Sequence, residues 1–293
     1  MKVIEGHGVA LITPFTKDGE IDFKAIPKII EHIIEGNADY IVIMGTTAET
    51  PTLNNNEKLK IINKIVKTNN ARLPLVIGIG GNDTNNVVKN IINTNLKPFS
   101  AILSVTPYYN KPNQEGLYEH FKIISSNSKL PIILYNVPSR TGLNLEPETV
   151  IRLANNFHNI IGIKEASGNL SQVHTILKTC PKTFSVLSGD DEMSLPLLLA
   201  GGKGVISVIG NAIPKIFSKL VKAAIKGDSK NAYLIQYEIL ELIRAIYDEG
   251  NPTGIKVLMN ELSLCENSLR LPLHQASSEL TLKLKKLFNE LRA

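Results

Sequence analysis

The sequence contains no tryptophan, and aromatic residues make up only 5% of its 293 residues. Aromatic platforms for stacking nucleic-acid bases are therefore not expected. The net charge of +5 comes from lysines interspersed with acids rather than from a basic run. Such dispersed charge gives no footprint for nucleic acid, although a mildly basic surface can attract anionic substrates. We therefore expect small-molecule substrates and no nucleic-acid partner.

Cysteine pairs, metal motifs and long apolar runs are also missing. Cys180 and Cys265 lie far apart and in no CxxC pattern, and the six histidines form no HExxH motif. This argues against a disulfide framework and a zinc site. The longest apolar candidate, at 195–200, is too short to span a membrane, and residues 1–8 lack the apolar core of a signal peptide. We expect a cytoplasmic protein without membrane association.

What the chain does have is a repeated alternation of short apolar strands and amphipathic helices. Predicted strands lie at 9–12, 40–44, 75–79, 101–105, 132–135, from 160, at 184–187 and at 204–208, each followed by a helical pattern. Eight such units predict an α/β fold, a (β/α)₈ TIM barrel, over residues 1–227. A doubly wound sheet is the alternative, but residues 78–81 lack the spacing of a dinucleotide-binding fingerprint. Residues 228–293 are helical by pattern, and we interpret them as a C-terminal extension packed on the barrel.

One predicted strand, beginning at Ile160, carries a lysine inside an apolar run. Alternation along a strand places Ile160, Gly162 and Lys164 on one face, with Ile161 and Ile163 on the other. Burying an unpaired ammonium is costly, and a neutral amine is what a Schiff-base nucleophile requires. The alternative is a lysine whose side chain extends past the strand end to a surface carboxylate such as that of Glu165.

Polar side chains collect at the ends of the other predicted strands. In a barrel these ends meet at one mouth, which is where the active site lies. Tyr135 ends the strand before the lysine strand, so that its hydroxyl, the lysine amine and a threonine hydroxyl could move protons together. Arg140 offers a forked cation for a carboxylate. Each could instead be structural: tyrosines can plug a barrel top, threonines can cap the next segment, and Arg140 can be a surface residue.

Five segments at these strand ends form a recognisable set: 45–50 (GTTAET), 106–110 (TPYYN), 135–142 (YNVPSRTG), 162–166 (GIKEA) and 187–191 (LSGDD). Together they resemble the dihydrodipicolinate synthase family, from Val9 to the C-terminus. The resemblance implies a class I aldolase-type enzyme in which Lys164 forms a Schiff base with pyruvate. The enamine then adds to L-aspartate-4-semialdehyde, which yields 4-hydroxy-tetrahydrodipicolinate on the route to diaminopimelate and lysine.

The resemblance also implies how the catalytic work is divided. Tyr135 would donate and accept protons, and Thr46 and Tyr109 would complete its relay. Members are commonly homotetramers, built from dimers in which the residue at Tyr109 reaches into the neighbouring site. No metal or organic cofactor is implied, because the covalent intermediate forms on Lys164.

Four further residues are implied to bind substrate. Thr47 and the backbone at Ile206 would hold the pyruvate carboxylate, Arg140 would meet the semialdehyde carboxylate, and Gly189 belongs to the same mouth. Ala48 departs from the usual glycine of this motif and requires a backbone with φ below zero.

Two alternatives to this function stay open at the level of sequence. N-acetylneuraminate lyases and 2-keto-3-deoxy sugar acid aldolases share the lysine and the tyrosine, and a catalytically silent barrel could serve as a ligand sensor. The resemblance also implies weak or absent inhibition by lysine. Asn86 and Lys58 occupy positions where feedback-sensitive members have a glutamate and a histidine.

Overall fold

The computed structural model describes residues 4–292, so the first three residues of the predicted barrel segment 1–227 and the last residue of the predicted extension 228–293 lie outside the described residues. Eight parallel strands pair in chain order, and the first also pairs with the eighth, which closes the barrel. The predicted (β/α)₈ fold is confirmed. The strands are β1 (Gly6–Ala10), β2 (Tyr40–Ile43), β3 (Leu75–Gly78), β4 (Ala101–Val105), β5 (Ile132–Asn136), β6 (Ile160–Glu165), β7 (Ser185–Ser188) and β8 (Gly204–Ser207).

Helices follow the strands around the outside of the barrel. Several begin where an asparagine or aspartate accepts a backbone N–H, as Asn54 does in a capping box with Glu57. The helices are α1 (Ala25–Glu35), α2 (Asn55–Asn69), α3 (Thr84–Asn93), α4 (Gln114–Asn127), α5 (Pro138–Thr141), α6 (Pro147–Asn156), α7 (Leu170–Thr179), α8 (Ser194–Leu199), α9 (Pro214–Ile225), α10 (Ser229–Ala245), α11 (Thr253–Glu261) and α12 (Ser278–Arg292). No helix in the described part is long and apolar enough to cross a membrane.

Buried apolar side chains form two layers, as a closed barrel requires. One layer fills the barrel interior and includes Tyr40, Leu103, Tyr135 and Ile206. The other lies between the strands and the helices and is the larger of the two. Because successive strand residues point to opposite faces, each strand contributes to both layers.

The strand that carries Lys164 does not alternate regularly. Ile132 pairs with Ile160, but Ile133 pairs with Gly162, so β6 has one extra residue, Ile161, opposite the step from Ile132 to Ile133. Ile160 consequently packs in the outer layer, whereas Ile161 packs against the barrel interior. The predicted faces of these two residues were wrong, because a bulge moves every side chain before it to the opposite face.

The last three helices, which lie in the predicted C-terminal extension, pack on the barrel rather than apart from it. α10 contacts α8 and α9, α11 contacts the turn after β8, and α12 packs on α10 and α11. Buried apolar residues of these helices join the outer layer of the core. The extension thereby covers part of the barrel and reaches the loops at its C-terminal mouth.

Candidate active site

Lys164 and Tyr135 lie side by side at the C-terminal ends of β6 and β5, where they are register partners. The Lys164 side chain is buried, and its Nζ lies 4.3 Å from the centroid of the Tyr135 ring. It forms no ion pair with Glu165, whose carboxylate accepts hydrogen bonds from Asn136 and Gln172 instead. Lys164 therefore does not extend to a surface carboxylate, and its amine stays inside the barrel mouth.

Gly189 presses against the lysine side chain from the end of β7. A Cβ at this position would lie 2.8 Å from Lys164 Cε and 2.8 Å from the Ala166 Cβ. Contacts this short would force Lys164 or Ala166 to shift, so glycine leaves the space in which the lysine takes its position. The structure thus brings Gly189 to Lys164 through a packing contact.

The segment after β2 presents the two predicted threonines on a 3₁₀ turn, Thr46–Ala48. Thr46 is half-buried, and Thr47 is buried. Ala48 takes no positive φ, as its side chain demands, and the left-handed conformation falls on Glu49, with φ of 53°. Thr13 donates its hydroxyl to the Ala48 carbonyl at 2.7 Å, which fixes the turn from the loop after β1.

Glu49 and Lys256 form a buried ion pair that sequence reasoning missed. The Nζ of Lys256, on α11, donates to Glu49 Oε1 at 2.5 Å and to the Ser268 carbonyl at 2.7 Å. The other Glu49 oxygen accepts the Arg270 backbone N–H at 3.0 Å. Burial lowers the pKa of Lys256, although Glu49 acts in the opposite direction. The extension therefore anchors the turn that carries Thr47.

Asn251, also from the extension, connects two predicted substrate-binding residues. Its Nδ2 donates to the Thr47 hydroxyl oxygen at 3.1 Å. Its carbonyl accepts a hydrogen bond from Arg140 Nη2 at 3.4 Å. Arg140 lies on α5 and is exposed, so its guanidinium is available at the mouth. No sequence signal pointed to Asn251, because its partners lie more than a hundred residues away.

Asp191 lies buried between β8 and the extension. One carboxylate oxygen accepts the backbone N–H groups of Val208 and Ile209 at 3.0 and 2.8 Å, and the Tyr247 hydroxyl approaches it at 3.4 Å. The other oxygen has no partner within residues 4–292. Burial raises the pKa of Asp191 to about 6 and raises that of Tyr247 well above its usual value. This carboxylate fixes the backbone just beyond Ile206.

The remaining predicted residues take different positions. Ile206 lies on β8, fully buried in the same interior layer as Tyr135. Tyr109 projects away from the chain with 90% of its surface exposed and with φ of 72°. Within a single chain it therefore packs on no part of the barrel core. Among the described residues, no group of three histidine, cysteine or carboxylate side chains is placed to hold a metal ion.

A closed (β/α)₈ barrel with a buried lysine on β6 and a tyrosine beside it on β5 defines the class of aldolase-type barrels. The model of the dihydrodipicolinate synthetase family matches residues 4–291, which is nearly the whole chain. The chain belongs to this family.

Individual relatives agree with this assignment. The chain is 49% identical over 284 residues to the 4-hydroxy-tetrahydrodipicolinate synthase of Flavobacterium psychrophilum, covering 97% of each chain. The chloride-inhibited dihydrodipicolinate synthase of Acinetobacter baumannii, solved with pyruvate, superposes with a TM-score of 0.96 at 37% identity and 99% coverage of both chains. The enzyme of Cyanidioschyzon merolae, solved with lysine bound, superposes with a TM-score of 0.94 at 32% identity, again with 99% coverage of both chains. These likenesses confirm the predicted family and favour the synthase over the sugar-acid aldolases.

Proposed function

We propose that the chain is a lyase that condenses pyruvate with L-aspartate-4-semialdehyde to give 4-hydroxy-tetrahydrodipicolinate. The observation that carries this proposal is the buried Lys164 amine beside the Tyr135 ring, in a chain of the dihydrodipicolinate synthetase family. The relatives that match over nearly their full length are named for the same activity.

The chemistry starts on the Lys164 amine. Nζ attacks the ketone carbon of pyruvate, and loss of water gives an imine that is protonated on nitrogen. Removal of a methyl proton turns the imine into an enamine, whose carbon attacks the aldehyde of the semialdehyde. The amino group of the added molecule then displaces Lys164 from the imine carbon, which closes the ring and frees the enzyme. Because the protonated imine is itself the electron sink, this route needs no metal or organic cofactor.

The hydroxyl groups at the mouth suit the proton transfers. We infer that Tyr135 moves protons at the reacting carbon and nitrogen, with Thr46 and Tyr109 as its relay. The Tyr109 side chain is exposed in the single chain, which supports a relay that a second copy completes. A homotetramer and a cytoplasmic location stay predictions from the sequence.

Carboxylate recognition falls to the other side chains and backbone groups. Thr47 and the backbone at Ile206 would hold pyruvate, with Gly189 leaving room beside the lysine. Arg140 is exposed at the mouth and suited to the second carboxylate. The Asn251 contacts to Thr47 and Arg140 would set the separation of the two proposed carboxylate sites.

Borohydride reduction in the presence of pyruvate tests the Schiff base. Reduction should add a stable pyruvate-derived mass to the peptide containing Lys164. Lys256 is an internal control, because it is a second buried lysine whose ammonium group is paired with the Glu49 carboxylate. A label on Lys256, or labelling that needs no pyruvate, would disprove the assignment. Lys164→Ala should abolish the label and nearly all turnover.

The second substrate is tested through Arg140. Arg140→Ala should raise the KM for aspartate semialdehyde far more than the KM for pyruvate, because only the former uses the guanidinium. Arg152→Ala is the matched control, since Arg152 pairs with Glu115 on the outer helices. Equal effects on both substrates would remove Arg140 from substrate recognition.

A further inference from the structure

Glu165 is a buried carboxylate with no basic partner among residues 4–292. It follows Lys164 directly, so the two side chains point to opposite faces of β6. Its oxygens accept hydrogen bonds from Asn136 Nδ2 at 3.0 and 3.2 Å, from Gln172 Nε2 at 2.9 Å and from the Ser167 backbone N–H at 2.7 Å. All of these donors are neutral. Burying a charge in this way is expensive, and simple packing would not require it.

The partners of Glu165 form a closed network of side-chain amides. Asn136 also donates to Asn144 Oδ1 at 2.9 Å, and Asn144 in turn donates to Gln172 Oε1 at 2.9 Å. Asn136 Oδ1 accepts the Leu145 backbone N–H at 2.9 Å. We call Asn136, Asn144, Glu165 and Gln172 the carboxyamide network. It joins the ends of β5 and β6, helix α7 and the segment that follows α5.

This network lies directly behind the proposed catalytic pair. Asn136 pairs with Glu165 in the sheet register one step after Tyr135 pairs with Lys164. The bulge at Ile161 breaks the register earlier in the same strand pair, so regular pairing from the strand starts does not by itself fix the ends. The Asn136–Glu165 contacts supply that constraint on the opposite face. Asn144 extends it towards the segment that carries Arg140.

We propose that Glu165 is a positioning residue, which acts through Asn136 and Gln172 to hold Lys164 and Tyr135 in the geometry needed for imine formation. This inference rests on the proposed function, because it requires Lys164 to be the Schiff-base residue. Glu165 itself faces the helices and touches no substrate.

Glu165→Gln is the first test, because it keeps shape and volume. The new NH₂ group must face donors already aimed at the carboxylate, so Asn136 or Gln172 has to turn away. We expect the rate of borohydride-trapped imine formation at saturating pyruvate to fall about 10- to 100-fold, since small displacements of reacting groups cost this much. Glu148→Gln, at an exposed carboxylate on α6, is the matched control and should match the parent.

The double variant Asn136→Asp/Glu165→Gln exchanges carboxylate and amide. The introduced aspartate still accepts the Leu145 N–H, and the introduced glutamine still accepts the Ser167 N–H. Flipping the amides of Asn144 and Gln172 then restores the shortest donor–acceptor contacts among the four side chains, and gives up only the 3.2 Å contact between residues 136 and 165 and the 3.4 Å contact of Gln172 with the Leu145 carbonyl. We expect this double variant to regain most of the trapping rate. A role in bulk stability alone would change melting temperature without this pattern of loss and recovery in rate.

The outcomes separate the two proposals. If the parent is not labelled at Lys164, the proposed function fails. If the parent is labelled, and Glu165→Gln folds and forms the trapped imine at a rate within twofold of the parent rate, the positioning role is wrong. A double variant that folds and stays as slow as the single one also overturns it. If Glu165→Gln does not fold, Gln172→Met is the alternative variant, because it removes the Gln172 donor to Glu165 from outside the sheet. Several-fold slower trapping of the imine then supports the positioning role of Glu165. An unchanged trapping rate refutes it.

Discussion

The contact between Lys164 and Tyr135 is made by the face of the aromatic ring, not by the hydroxyl. The Tyr135 hydroxyl has no hydrogen-bond partner within the described residues, and the ring lies under the amine. Ring and hydroxyl therefore have separable tasks. The ring packs against the lysine side chain, whereas the proposed proton transfer would use the hydroxyl.

Tyr135→Phe should remove proton transfer and leave the packing intact. We expect kcat to fall about 10²- to 10⁴-fold, the usual contribution of general acid–base catalysis, with a melting temperature close to that of the parent. Tyr40→Phe is the matched control, because the buried Tyr40 hydroxyl donates to the Val205 carbonyl at 2.9 Å, away from the lysine. That variant should lose some stability and keep its kcat. A loss of only a few-fold for Tyr135→Phe would exclude it from proton transfer.

Asp191 predicts a particular dependence of stability on pH. Burial raises its pKa from 3.8 to about 6, so folding favours the protonated form. Its contribution is fully present below about pH 4 and is lost as pH rises through 6, a change of about 3 kcal/mol in the free energy of unfolding. Asp191→Asn removes this change. We expect denaturant unfolding between about pH 4 and 7 to show that the free energy of unfolding of Asp191→Asn increases relative to that of the parent as pH rises.

A difference that does not vary with pH would contradict this prediction. His7 acts in the opposite sense, because burial lowers its pKa from 6.5 to about 3 and its contribution is lost as pH falls below 6.5. His7 is present in both proteins, so its effect cancels in the difference. The comparison therefore isolates the carboxyl group.

At the scale of elements, the turn after β2 depends on charge pairing with α11. Lys256 and Glu49 are both fully buried, and the Phe15 ring centroid lies 4.3 Å from the ammonium. Removing one charge leaves the other buried without its opposite charge, with only a backbone hydrogen bond remaining. Lys256→Met should therefore reduce the free energy of unfolding by about 3–5 kcal/mol, measured with a denaturant.

The double variant Glu49→Gln/Lys256→Met provides the control for this ion pair. It removes both charges together, so it should recover much of the stability lost in Lys256→Met. A single variant as stable as the parent, or a double variant no better than the single one, would show that the pair does not hold the turn.

Sequence patterns predicted most elements because apolar residues recur at one spacing along a strand and at another along a helix. They missed α5, since four residues starting at Pro138 show no helical period. They also missed the bulge at Ile161, which depends on the step between two residues of a neighbouring strand. Lys164 was predictable because a lysine inside an apolar run is visible locally. Asn251 and Lys256 were not predictable, and neither was the role of Asp191, because each acts on partners that only the closed barrel brings near.

At the scale of the whole molecule, Tyr109 predicts that a single chain is incomplete. Its side chain is exposed and its backbone is held at a positive φ that is unusual for tyrosine. If it completes a neighbouring site, specific activity should fall when the protein is diluted below the dissociation constant of the assembly, and sedimentation should follow the same transition. Activity that stays constant while the assembly dissociates would show that one chain suffices.

Feedback inhibition by lysine should be weak. Lys58 adds a like charge, and Asn86 offers only a neutral amide to a ligand with two ammonium groups. An activity assay titrated with L-lysine should show little inhibition below the millimolar range. Half-inhibition at submillimolar concentration would contradict this.

The anchoring of the turn after β2 by the extension has a consequence for biosynthesis on the ribosome. Translation delivers Thr47 early and the last barrel strand, ending at Ser207, much later. A chain that ends soon after Ser207 contains all eight strands but lacks Asn251, Lys256 and Arg270. A nascent barrel that closes at that stage holds Glu49 without its cation and Thr47 without its amide partner. We therefore expect the proposed site to be complete only once the final quarter of the chain has been added.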